Sequence, residues 1–182
     1  MGRKLKFHEQ KLLKKTNLIH WKRENNLRVG EVMSRFSLKS SDEYHNYNRL
    51  VGKIQNFVNF IRQMSPDNAI RIELTNRFVD RVYKLGLINV PTLSECEKIN
   101  VSSICKRRLP VVLVSLKFCE RVSEADKYVC QGHVRIGPDV ITNPATLVSK
   151  EMEDFIQWTH GSKIEAHVKE YNEEFDDFDM LS

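Results

Sequence analysis

Eight side chains between residues 106 and 135 carry the chemistry this sequence offers: Lys106, Arg107, Arg108, Lys117, Arg121, Lys127, His133 and Arg135. A guanidinium is a planar fork that matches two phosphate oxygens, and an ammonium meets the same oxygens as a point charge. Gathered along one rim, such groups suit a polyanion held by its backbone. The competing assignment pairs Arg107 and Arg108 with Glu120 or Glu124 in ordinary surface ion pairs. A second basic group, Arg3, Lys4, Lys6, Lys11, Lys14 and Lys15, stands in the opening stretch RKLKFHEQKLLKK. Its apolar residues Leu5, Leu12 and Leu13 are too few to bury alone. Residues 3–15 therefore read as an arm that orders on a partner, or as a solvated terminus.

Catalysis has no comparable support. The sequence lacks GxxxxGK[ST], GxGxxG, HExxH and GxSxG. His8, His20, His45, His133, His160 and His167 are scattered, and Gly161 interrupts the one pair that could share a helix face. Cys96, Cys105, Cys119 and Cys130 have no CxxC spacing, so they read as buried free thiols of a reducing compartment rather than zinc ligands. The expectation is a protein that is no enzyme and needs no cofactor or metal. The opening stretch lacks a signal-peptide core, and no run approaches the ~20 apolar residues of a membrane span, so a soluble intracellular chain with no membrane partner is expected.

Charge is polarised along the chain. The net is +5 with a pI near 9.0. Residues 151–182 hold ten acidic residues against two lysines, which leaves +13 on the rest. A basic body with an acidic end points either to a nucleic-acid partner or to a solvated surface with a disordered acidic tail. In the last stretch, EYNEEFDDFDMLS, Tyr171, Phe175 and Phe178 sit at steps of four and three, spacing for a short helical motif laid on a protein.

Those cations need elements to position them. Tyr44, Tyr47, Leu50, Val51, Ile54, Phe57, Val58, Ile61 and Met64 fall on one helical face, which predicts a helix over 42–64 ended by Ser65-Pro66. A second helix is expected over 75–85 with Gly86 after it, and a short one around 93–99. Pro110 suits the first turn of another helix, and Ser123 is positioned to cap the next, which Gly132 closes. His133 to Ile136 alternates as a strand, Gly137-Pro138-Asp139 turns, and Val140-Ile141 returns. Leu147-Val148 reads as a third strand. The fold class is α+β: a mostly helical N-terminal region, then two helices packed on a small antiparallel sheet.

The stretch 107–149, with RRLP, Gly132-His133-Val134, VITNP and Leu147-Val148, resembles the S4 RNA-binding domain. Pro110 and Gly137-Pro138-Asp139 depart from many of its members. Over its whole length, through DEYHNYNRLVGKI, QGHVRIGPDVITNPATLV, MEDF and EYNEEFDDFD, the chain is similar to the S4-domain proteins of the U3 small nucleolar ribonucleoprotein. The resemblance implies an RNA-binding component of the small-subunit processome in the nucleus and nucleolus. The partners it implies are U3 RNA, pre-ribosomal RNA and the M-phase phosphoprotein scaffold of that particle, with other processome proteins. It implies a role in pairing the two RNAs. Three units are expected: a basic arm and helical region over 1–106, an S4-type domain with its extension over 107–169, and an acidic tail over 170–182. The alternatives are a structural protein of the mature small subunit, a targeting module of an RNA-modifying enzyme, and a protein adaptor without RNA affinity.

Overall fold

The computed structural model describes residues 3–16 and 22–172. The arm contains a helix, α1 (Phe7–Lys15), started by the Lys6 N–H donating to the Glu9 carboxylate at 2.8 Å. None of its residues is buried, and Leu12 and Leu13 stay exposed. Five helices follow: α2 (Lys22–Arg35), α3 (Ser41–Gln63), α4 (Ala69–Lys84), α5 (Leu93–Glu97) and α6 (Val101–Cys105). The Ser40 hydroxyl caps α3 by accepting from the Asp42 N–H at 3.0 Å, and the stripe expected of it buries Val51, Val58 and Ile61. The helix expected at 75 begins at Ala69 instead, where the Asn68 side chain accepts from the Ile70 N–H at 3.0 Å. Ile70 and Ile72 are exposed, so the first turn of α4 lies off the apolar stripe that marks the rest. Phe36, Val51, Val58, Val79, Val82, Cys96, Ile104 and Cys105 meet in one core.

The second part packs α7 (Leu109–Ser115) against α8 (Val122–Cys130), and both cover a three-stranded antiparallel sheet of order β2-β1-β3. Its strands are β1 (Val134–Ile136), β2 (Asp139–Val140) and β3 (Ile156–Trp158). Leu109, Val112, Leu113, Ala125, Val129, Val134, Val148 and Ile156 form its core. The expected α+β architecture is therefore present. Two further short helices, α9 (Lys150–Glu153) before β3 and α10 (Lys163–Tyr171) after it, belong to the described residues, and residues 173–182 of the acidic stretch lie outside them.

Two local expectations are corrected. Leu147-Val148 is not a strand of the sheet: Leu147 bridges Arg108, and the Leu109 N–H donates to the Thr146 carbonyl at 2.9 Å. The third strand is β3, with Val134 facing Trp158 and Ile136 facing Ile156. Ser123 does not cap α8, whose N-cap is Arg121, two residues earlier, with no side-chain cap.

Four helices end in the same left-handed turn, with the second residue beyond the cap donating back to a carbonyl in the last turn. Gly86 and Gly132 occupy that position after α4 and α8, at φ of 74° and 77°. Ser37 and Lys117 occupy it after α2 and α7, at φ of 50° and 65°, although their Cβ atoms make the conformation costly. At the latter turn the Phe118 N–H donates to the Leu113 carbonyl at 2.9 Å.

Candidate nucleic-acid interface

The structure divides the eight predicted rim residues into two sets. Lys106 caps the end of α6, Lys117 holds the left-handed turn after α7, Arg121 opens α8, and Lys127 lies on the face of α8 away from Ala125 and Val129. All four are exposed, and none has an ion-pair partner among the described residues. Three of them, Lys117, Arg121 and Lys127, belong to the α7–α8 pair. Their charge is free to meet an anion, and water-exposed cations facing phosphates release counterions on binding.

The expectation that Arg107 and Arg108 front phosphates is corrected. Arg108 is 0% exposed, and its Nη1 donates to the Glu43 carboxylate of α3 at 2.7 Å. Its Nε and Nη2 are buried without a hydrogen-bond partner among the described residues. Burial pushes the neighbouring Tyr47 phenol up, and the Arg108 charge partly offsets that. Arg107 turns the other way. Its Nε and Nη2 donate to the Val148 carbonyl at 2.9 and 2.7 Å, and its Nη1 pairs with Glu153 at 2.5 Å. The same guanidinium lies against Gly86, where an added Cβ would sit 2.7 Å from its Cζ. Neither arginine pairs with Glu120 or Glu124, the other possibility the spacing left open. Both hold the two parts of the chain together. Lys39 adds to that seam, donating to the Cys130 sulfur at 2.9 Å with Asp126 at 3.6 Å.

Arg135 is half-buried and works within the sheet. Its Nε donates to the Trp158 carbonyl at 3.2 Å and its Nη2 to Gln157 at 2.6 Å, which ties β1 to β3. His133 is also half-buried, with its ring edge-on to Tyr128 at 6.4 Å. In the arm, Arg3 pairs with Glu9, the Lys11 ammonium lies 6.0 Å from the Phe7 ring centre, and Lys4, Lys6, Lys14 and Lys15 are exposed.

The turn that carries Lys117 also borders an open surface pocket of about 580 Å³ that the sequence did not announce. Phe118 and Tyr128 form its aromatic walls, and Glu120 and Glu124 line it with Lys117 and Cys119. Trp158 packs edge-on to both rings, 5.3 Å from Phe118 and 6.1 Å from Tyr128, and so fixes them. Burial pushes the Cys119 thiol up to about 11, with the Glu124 charge adding to the effect, so it stays protonated at neutral pH. Phe118 and Tyr128 lie ten residues apart across a turn, and only the pairing of α7 with α8 brings them together. Among the described residues no group of His, Cys, Asp and Glu is arranged to hold a metal ion.

Residues 4–106 match the ribosomal protein S4/S9 N-terminal domain, and residues 107–154 match the S4 domain. The U3 small nucleolar ribonucleoprotein protein IMP3 of Homo sapiens is 44% identical, and that of Mus musculus 43%, each over 99% of both chains. The protein of the same name from Saccharomyces cerevisiae is 40% identical over 99% of this chain and 100% of its own.

Proposed function

We propose, from the premise that the chain belongs to the S4-domain family of U3 small nucleolar ribonucleoprotein proteins, that it binds RNA in ribosomal RNA processing within that particle. It holds U3 RNA and pre-ribosomal RNA together while they pair. The observation that carries the reading is the set of exposed cations Lys117, Arg121 and Lys127 on one helix pair, unpaired among the described residues. Two RNA strands repel as polyanions, and a rigid basic surface that touches both lowers that barrier. Helical and loop surfaces read RNA chiefly through its backbone and shape, which suits a task that must tolerate whatever sequence pairs. The reading places the protein in the nucleus and nucleolus, beside other processome proteins and an acidic scaffold of the particle. The acidic stretch 170–182 would then face away from RNA or dock on protein, because phosphates repel it.

The test mixes purified chain with a U3 RNA fragment and its complementary pre-ribosomal fragment. The expected result is faster annealing, with affinity that falls as salt rises. Lys117, Arg121 and Lys127 changed together to Ala should slow annealing and lower the salt slope by roughly one per lost contact. An unchanged slope in a folded triple variant would overturn the assignment.

A further inference from the structure

The cavity at the α7–α8 turn has a chemistry that backbone binding does not use. Its walls are the two rings Phe118 and Tyr128, already fixed by Trp158. Its polar lining includes two carboxylates, Glu120 and Glu124, neither paired among the described residues, beside the Lys117 ammonium, the Cys119 thiol and the Tyr128 hydroxyl. Lys117 stands at the lip, and Arg121 lies between the two glutamates in sequence. Carboxylates repel phosphate, so a surface that only followed an RNA backbone gains nothing from placing two of them beside its cations.

We infer that this cavity receives one unpaired base of the bound RNA and prefers guanine, an inference that rests on the RNA-binding reading above. Unstacked bases are taken up by stacking on aromatic side chains and by hydrogen bonds to their pairing edges. An ionised carboxylate only accepts hydrogen bonds. Guanine alone presents two adjacent donors on its pairing edge, N1–H and N2–H, which match the two oxygens of one carboxylate. Adenine and cytosine each present a single amino donor beside a ring acceptor, and uracil presents one N–H between two carbonyls. At a carboxylate, an acceptor would therefore face an acceptor for every base but guanine, while the Lys117 ammonium remains for the phosphate. Lys117 at the lip meets the phosphate of the same nucleotide, so charge and base are read on either side of one turn. A volume of about 580 Å³ is ample for a base and its sugar.

The test titrates the full-length chain against four hairpin RNAs that differ only in one unpaired loop nucleotide, G, A, C or U. The guanine hairpin should bind tightest, by about ten-fold over adenine, the range of one good bidentate base contact. The double variant Glu120→Gln, Glu124→Gln should lose that preference while binding the other three hairpins as well as before or better. Equal affinity for all four, or a guanine preference that survives the double variant, would overturn the inference and leave the RNA-binding reading standing. Failure to bind any hairpin would overturn both. A double variant that binds RNA as before but no longer binds an arginine-rich peptide would assign the cavity to a protein segment instead.

Discussion

The helical region and the module that follows it close their cores differently. In the module, seven of eight core residues are no more than 1% exposed, from Leu109 to Val148. In the helical region, seven of twelve keep 4–8% exposure, among them Phe36, Leu38, Val51 and Val82, and large apolar side chains such as Phe60, Ile70 and Ile72 remain in water nearby. The module is built from shorter elements yet is the better sealed. Arg135 braces β1 to β3 beneath two helices, while β2 stays exposed at the edge and the pocket beside Phe118 opens at the α7–α8 turn. The difference matters for the site: a surface that presents charges and a pocket at fixed spacing needs a core that does not shift.

The first way to break this contrast is at the seam. Glu43→Ala leaves the Arg108 charge buried and unpaired, which should cost about 3–5 kcal/mol in chemical denaturation. Adding Arg108→Met should recover most of it, because an apolar side chain of similar length needs no counter-charge. A loss that persists in the double variant would mean the site tolerates no replacement for the guanidinium. Next in size come paired truncations. Leu113→Ala, in the sealed core, should cost about 3–4 kcal/mol, and Leu38→Ala, in the leakier one, nearer 2. Equal losses would erase the distinction between the cores.

Lys117→Gly sharpens the contrast because its two effects have opposite sign. Glycine relieves the left-handed turn, so stability should rise by about 1 kcal/mol, while RNA affinity falls for want of one cation. A variant that gains stability and keeps its affinity would show the lysine to be incidental. The smallest effect concerns pH. Burial pushes both Cys105, in the helical core, and Cys119, at the cavity, up from 9.0 to about 11. A raised acid contributes stability that is present below pH ~9 and lost as pH climbs through ~11. Thermal unfolding across that range should show the loss, and Cys105→Ala and Cys119→Ala should each flatten part of it.

Much of this was legible in the residues. The stripe from Tyr44 to Met64 marked α3, and Gly132 with Gly137-Pro138-Asp139 marked the end of α8 and the hairpin. The third strand went unread because Leu147-Val148 follows a proline turn and looks the part, while Ile156-Gln157-Trp158 hides behind a four-residue helix. The helix α10 also had a signal: Ser162 and Glu165 form a capping pair, with the Glu165 N–H donating to the Ser162 hydroxyl at 3.1 Å and the Glu165 carboxylate accepting from the Gly161 N–H at 2.7 Å. For the site, types and spacing located the cations but not their directions. Lys117, Arg121 and Lys127 face water as their charge suggests. Arg108 does not, because the burial of an arginine depends on a carboxylate 65 residues away.

Arg107 and Arg108 are neighbours, yet one reaches forward to Val148 and Glu153 while the other reaches back to Glu43. Arg107 lies in the turn after α6, and Arg108 is extended, at φ −68° and ψ 140°, as the residue before α7, so the two side chains leave from different backbone conformations. Adding or removing one residue between 106 and 109 would move both guanidinium groups off their acceptors and strand a charge in a closed core. A single-residue insertion there should unfold the protein, whereas the same insertion at Gly137-Pro138, on an exposed hairpin tip, should be borne with little loss. The junction between the two parts of this chain is therefore fixed in length as firmly as any strand in its sheet.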